Sequence, residues 1–178
     1  MNFLELATNR FSVRSYRPDP IDEETMQYIL QAGRVAPTAC NNQPQRVYVV
    51  RSEEMRKKLA KASPCTFDAP VILVIAYDET LCWKNRRMMG KPSGETDAAI
   101  VTTHMMLAAQ NEGVGSCWVM HFDPAAMREH FHIPSHIEPL ALLVMGYPAE
   151  DAKPLDLHFS KRPMCETVVY EDFSSDLG

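Results

Sequence analysis

A chain of 178 residues has room for one ordinary domain with a sizeable core and little room for two. Hydrophobic residues at 46% and charged residues at 23% are the proportions of a globular chain. The formal net charge of −5 disfavours nucleic acid as a partner. No run is apolar for long enough to span a bilayer, and the start MNFLELATNR lacks the basic-then-apolar order of a secretory signal.

Residues 2–8 read as a short helix with Phe3, Leu4 and Ala7 on one side. Asp22 is a good N-cap for a second helix, with Glu23 and Glu24 in its first turn and Ile21 and Met26 placed as a hydrophobic staple. Met26, Ile29, Leu30 and Gly33 carry the helical spacing on until Pro37 stops it. The turn-rich piece APTACNNQPQ then leads into a strand at 46–50. Ser52 caps a helix to about Ala62, with Met55, Leu59 and Ala62 facing inward.

The run VILVIAY at 71–77 is apolar on both faces, as a central strand requires. Residues 78–95 are the least regular part of the chain. A long helix from about Thr96 to Gly113 follows, apolar almost all round, with Gly113 as the C′ residue. Such a helix needs more cover than so small a chain supplies, and a partner subunit would provide it. SCWVMHF at 116–122 and PLALLVMGY at 139–147 are the remaining strands, with a helix opened by Asp123-Pro124 between them. Residues 148–178 hold three prolines and one β-like piece, TVVY, and are expected to lie across another surface. Alternating helices and strands favour a layered sheet-and-helix domain, and the tail and apolar helix point to an intimate dimer.

Standard site motifs are absent. No G-x-G-x-x-G opens a helix after a strand, and there is no P-loop, H-E-x-x-H or G-x-S-x-G. The five cysteines include no C-x-x-C pair, so the expected compartment is a reducing cytoplasm. The histidines of HFHIPSH straddle a helix end closed by Pro134 and lack a matching ligand set, so no metal is expected. His104, among apolar residues of the long helix, reads as a satisfied interior histidine. Two basic clusters remain: Arg10, Ser12 and Arg14 near the N-terminus, and Lys161 with Arg162 in the tail. Each lies in an irregular stretch. An arginine fork, a hydroxyl and a lysine together suit a phosphomonoester, at roughly 1.5–3 kcal/mol per charge-assisted hydrogen bond.

Five segments, in order, give the chain a likeness to a known family: RFSVRSY, APTACNNQP, DAAIVTTHMMLAAQNEGVGSCWV, MGYPAE with a following KP, and SKRPMCETV. Together they resemble the FMN-dependent nitroreductase family, particularly its compact members. The resemblance implies an α+β fold over residues 1–178 with a mixed sheet flanked by helices. It also implies an interlocked homodimer whose tail, from about residue 148, crosses to the partner. FMN would be the cofactor, bound at the dimer interface.

By the same resemblance Arg10 and Ser12 bind the FMN phosphate, with Lys161 and Arg162 closing from the tail. Arg14 lies by the pyrimidine edge of the flavin, and Pro37, Thr38 and Asn41 reach it from the partner subunit. Trp118, Val119 and Met120 line the ring. NADH or NADPH would be the donor and a nitroaromatic, quinone or similar small aromatic the acceptor, with no catalytic side chain nominated. The run WVMH stands where larger members carry a Pro-Ile-Glu-Gly-like run, which bears on substrate preference. The same fold with another flavin reaction, a flavin-binding module without turnover, and an interaction domain with a merely basic surface stay open as alternatives.

Overall fold

A computed structural model describes residues 2–170 of the chain. Helix α1 (Phe3–Asn9) starts on a reciprocal cap: the Asn2 side chain accepts from the Glu5 N–H at 2.9 Å, and the Glu5 carboxylate accepts from the Asn2 N–H at 3.0 Å. It buries none of its own residues; Phe3 and Leu4 are exposed. Helix α2 (Glu23–Arg34) starts where expected, on Asp22, whose carboxylate accepts from the Thr25 N–H at 2.8 Å. Backbone and side-chain hydrogen bonds from Thr25 hold that carboxyl below the usual range. Ile21 and Met26 are both buried, closing the staple.

Strand β1 (Gln45–Val50) and helix α3 (Glu53–Ala62, capped by Ser52) match the sequence reading to within a residue. So does β2 (Val71–Asp78), buried along its whole length. The irregular region contains a small hairpin, β3 (Lys84–Asn85) and β4 (Lys91–Pro92). Helix α4 (Gly94–Asn111) follows, then β5 (Gly115–Val119), α5 (Pro124–Phe131) and β6 (Ile137–Gly146). Gly113, at φ +70°, closes α4: its N–H donates to the Gln110 carbonyl, and that of Val114 to the Ala109 carbonyl. A residue with a Cβ there would pay the left-handed penalty.

The sheet runs β1-β2-β6-β5, each pair antiparallel. The parallel component is an isolated bridge, Ser12 to Ser116, on the open edge of β5. Central strands β2 and β6 alternate their side chains between two cores. Leu73, Ile75, Ala141, Leu143 and Met145 face α2 and α4, whereas Ile72, Val74, Leu142 and Val144 face α3 and α5. Helices α2 and α4 pack closely at Gly33, where an added Cβ would come within 2.7 Å of the Met105 side chain.

One irregularity shapes the functional surface. Ile75 pairs with Ala141 and Ala76 with Pro139, so Leu140 is an extra residue on β6, next to a proline that can donate no ladder hydrogen bond.

Residues 148–170 form no strand, only two 3-10 turns, Asp156–His158 and Met164–Glu166. TVVY stays unpaired, since an isolated β-like segment has nothing to bond to without a neighbouring edge. The rest of the expected tail, 171–178, lies outside the described residues. No helix among those described is long and apolar enough to cross a membrane.

Candidate functional site

After α1 the chain runs as an extended segment along the free edge of β5. The Val13 N–H donates to the Ser116 carbonyl at 3.0 Å, and the Val13 side chain is buried. Extended backbone alternates its faces, so with Val13 inward Ser12 and Arg14 share the opposite side. Arg14 folds back and donates to the Ser12 carbonyl at 3.2 Å. Burial raises the pKa of the Cys117 thiol, while the Arg14 guanidinium, the Ser12 hydroxyl and Arg10 all oppose that rise. Ser12 and Arg14 therefore share one patch of the β5 edge, with Arg10 just before it at the end of α1. Beside it the Ser116 hydroxyl is buried and has no hydrogen-bond partner.

A groove of about 600 Å³ opens between the end of α1 and the tail, lined by Arg10 and Phe11 on one side and Pro154, His158, Phe159 and Lys161 on the other. Arg10 and Lys161, some 150 residues apart in the chain, thus face one space. Phe11 meets the His158 ring edge-on at 6.4 Å, which ties the tail to the N-terminal segment. Arg162 is exposed on the same tail and does not line this groove.

A second groove, of about 560 Å³, lies between α4 and the end of β5. Trp118 and Met120 line it, together with the bulge residue Leu140. Val119 does not: its side chain turns to the other face and is 5% exposed within the α3–α5 core. Only its main chain is available on the groove side. The strand is also shorter than expected, ending at the Val119–Leu142 pair and leaving Met120 beyond the ladder.

His104 is corrected from interior to groove-lining. It is exposed, with Nδ1 2.9 Å from the Ile100 carbonyl oxygen. Glu95, Thr96, Ala99, Ile100 and Thr103 line the same wall. Their four-residue spacing is a helix stripe visible in the sequence, masked there by the apolar residues around it.

Pro37, Thr38 and Asn41 line neither groove. They sit in a tight loop with Cys40, Asn41 and Gln43 all at positive φ (52°, 55° and 50°). The Thr38 hydroxyl accepts from the Gln43 N–H at 3.1 Å. The loop is anchored by buried Asp97, which accepts from the Ala39 N–H at 2.8 Å and from the Ser93 hydroxyl at 2.6 Å. Pro37 and Asn41 face outward.

The sequence matches the Nitroreductase family over residues 7–66 and 61–147, most of the chain. The chain belongs to the nitroreductase family. This nitroreductase-family chain is 30% identical over 179 aligned residues to a Thermus thermophilus protein named NADH dehydrogenase, with 83% of this chain and 87% of that one covered. It is also 30% identical to a Bacillus subtilis protein named FMN reductase [NAD(P)H], covering 80% of this chain and 64% of the relative. A crystal structure of a nitroreductase family protein from Clostridium difficile 630 superposes with a TM-score of 0.91 at 38% identity, covering 97% of this chain and 99% of that one.

Proposed function

We propose that this protein is a cytoplasmic, homodimeric FMN-dependent oxidoreductase that uses NADH or NADPH to reduce a nitroaromatic, quinone or similar small aromatic acceptor. The observation that carries it is the placement of Ser12 and Arg14 together at the β5 edge, with Arg10 and Lys161 lining one groove beside the same segment. Of those donors Arg10, Lys161 and Ser12 fit the FMN phosphate, two cations and a hydroxyl, with the partnerless buried hydroxyl of Ser116 close by. The family match and the similar B. subtilis protein named FMN reductase support the same cofactor.

Bound FMN supplies a ring that takes up hydride from a reduced nicotinamide and yields it to an acceptor. Around it the chain's own residues bind and exclude. Arg10, Ser12 and Lys161 hold the phosphate, and Arg162 adds positive charge from the tail. Arg14, kept in place by its bond to the Ser12 carbonyl, supplies a fixed cation that offsets negative charge at the pyrimidine edge. Trp118 and Met120 present an apolar wall that keeps water off the ring, and the main chain from Val119 onward offers its polar groups. Pro37, Thr38 and Asn41, which line neither groove, serve the cofactor of the partner subunit in this reading. One shared position for donor and acceptor gives alternating, ping-pong turnover, with protons drawn from solvent.

The deciding measurement is the visible spectrum of protein purified without added flavin, followed by acid release of the chromophore. About one FMN per chain is expected, and Arg10→Ala is expected to weaken FMN retention at least tenfold. A colourless protein that takes up no added FMN would remove the proposal.

A further inference from the structure

The hairpin 83–93 is out of character with the rest of the chain. Acids outnumber bases overall, 23 to 18, yet residues 80–94 hold Lys84, Arg86, Arg87 and Lys91 and no carboxylate. Among the described residues none of these four cations lies within ion-pair distance of an acid. All four are exposed. Some arginines elsewhere are paired, as in Arg46 with Asp78, Arg51 with Glu23 and Arg128 with Glu138, and others are not. Four unneutralised cations within eight residues repel one another, a cost that a bound anion would remove.

The hairpin is nevertheless held in shape. The Ser93 N–H donates to the Trp83 carbonyl at 2.9 Å and the Gly90 N–H to the Asn85 carbonyl at 2.9 Å. The Asn85 side chain accepts from the Arg87 N–H at 3.0 Å. Met89 (φ 53°) and Gly90 (φ 80°) turn the tip. The two arginines therefore sit at a defined place on an ordered turn.

None of residues 83–93 lines the second groove, but the chain leads from the hairpin directly into its wall. The hairpin feeds straight into α4, whose first turn contributes Glu95 and Thr96 to the groove that Trp118 and Met120 line. From Arg87 to Ser93 is at most about 20 Å of chain. Glu95 stands on the groove's rim and would repel a phosphate bound there, so an anionic ligand entering the groove must place its phosphates farther out, over the hairpin. Trp83, partly exposed at the hairpin base, offers a ring against which a purine can stack.

We infer that Arg86 and Arg87, aided by Lys84 and Lys91, bind the 2′-phosphate of the nicotinamide donor and select NADPH over NADH. The inference rests on the oxidoreductase proposal for its ligand. The two donors differ by that one phosphomonoester, a dianion suited to two adjacent arginine forks. The diphosphate that both donors carry could draw on the same charge, and the test separates the two.

Two readouts decide it. The first is calorimetric binding of adenosine 2′,5′-bisphosphate and of adenosine 5′-monophosphate, which needs no turnover. Wild type is expected to favour the bisphosphate at least tenfold, the preference shrinking with added salt. Arg86→Ala/Arg87→Ala is expected to abolish the preference, and Arg86→Lys/Arg87→Lys to retain part of it. The second is the ratio of kcat/KM for NADPH to that for NADH, expected to fall at least tenfold in the double alanine variant. An equal fall for both donors assigns the arginines to the diphosphate and overturns the inference. So does equal binding of the two adenosine probes by wild type. FMN content of the same samples separates the cases: flavin-loaded protein with an unchanged ratio sinks this inference alone, whereas flavin-free protein sinks the oxidoreductase proposal.

Discussion

At the residue scale the most constrained group beside the candidate site is Tyr16. Its hydroxyl lies 2.6 Å from the Val13 carbonyl oxygen and 3.2 Å from that of Val144, joining the N-terminal segment to β6. Burial, with the nearby Cys117 thiol, drives its pKa far above the ordinary phenol value, and Arg14 only partly opposes this. A raised folded-state pKa means the folded chain keeps the proton after the unfolded chain has lost it. Its stabilising contribution is therefore complete below about pH 10 and is lost progressively as pH rises above that. Tyr77, pushed up to about 12 by burial and then by Glu95, Glu138 and Glu79, acts in the same direction. Denaturant titrations across the alkaline range should show stability falling by about 1.4 kcal/mol per pH unit for each such proton. Tyr16→Phe should cost about 1 kcal/mol at neutral pH and shallow the alkaline slope by one proton. Parallel pH profiles for wild type and variant would refute this account.

At the scale of elements, the loop carrying Pro37, Thr38 and Asn41 depends on a helix far from it in sequence. Three non-glycine residues at positive φ cost roughly 1–2 kcal/mol each, so the loop holds its shape only through its anchors. The chief anchor is Asp97 at the first turn of α4. Asp97→Ala strips the Ala39 N–H and the Ser93 hydroxyl of their acceptor. A loss of about 1–3 kcal/mol is expected in denaturant unfolding, with faster amide exchange at Ala39–Gln43 and little change in β2 or β6. Uniform exchange across the loop and sheet would show that Asp97 supports the whole fold instead.

The same comparison shows what sequence can reveal. Caps and central strands were legible because they are local: Asp22, Ser52 and Asp123 are followed by their own helices, and VILVIAY needs no neighbour to read as buried. Arg10, Ser12 and Arg14 were legible as a group because extended backbone keeps them together. That Lys161 faces Arg10, and that Asp97 holds Ala39, are matters of tertiary packing that no spacing encodes. The bulge at Leu140 and the inward turn of Val119 depend on strand register, which a shift of one residue inverts. His104 was misread because its neighbours are apolar, although the stripe from Glu95 to His104 carried the correct face.

At the scale of the whole molecule, the single chain leaves apolar surface where a soluble monomer would not. Phe3 and Leu4 on α1, and Leu157, Phe159, Met164 and Tyr170 in the tail, are all more than half exposed. Ile100, Met106 and Leu107 on α4 are partly exposed. Neither α1 nor the tail makes a core of its own, so what orders them must be a second surface, and a second copy of the chain offers one of matching character. Burying a side chain the size of leucine contributes about 1.5–3 kcal/mol. Sedimentation at micromolar protein is accordingly expected to show a dimer. Leu157→Asp with Met164→Asp removes two exposed anchors that the single chain does not use, so the monomer's own fold should survive. Dimer dissociation should become at least tenfold easier. Under the proposed function, in which Pro37, Thr38 and Asn41 serve the cofactor of the other subunit, FMN should then be lost on dilution in step with dissociation. Flavin that stays bound to a dissociated monomer would show that each chain completes its own site, and would return that loop to a purely structural role.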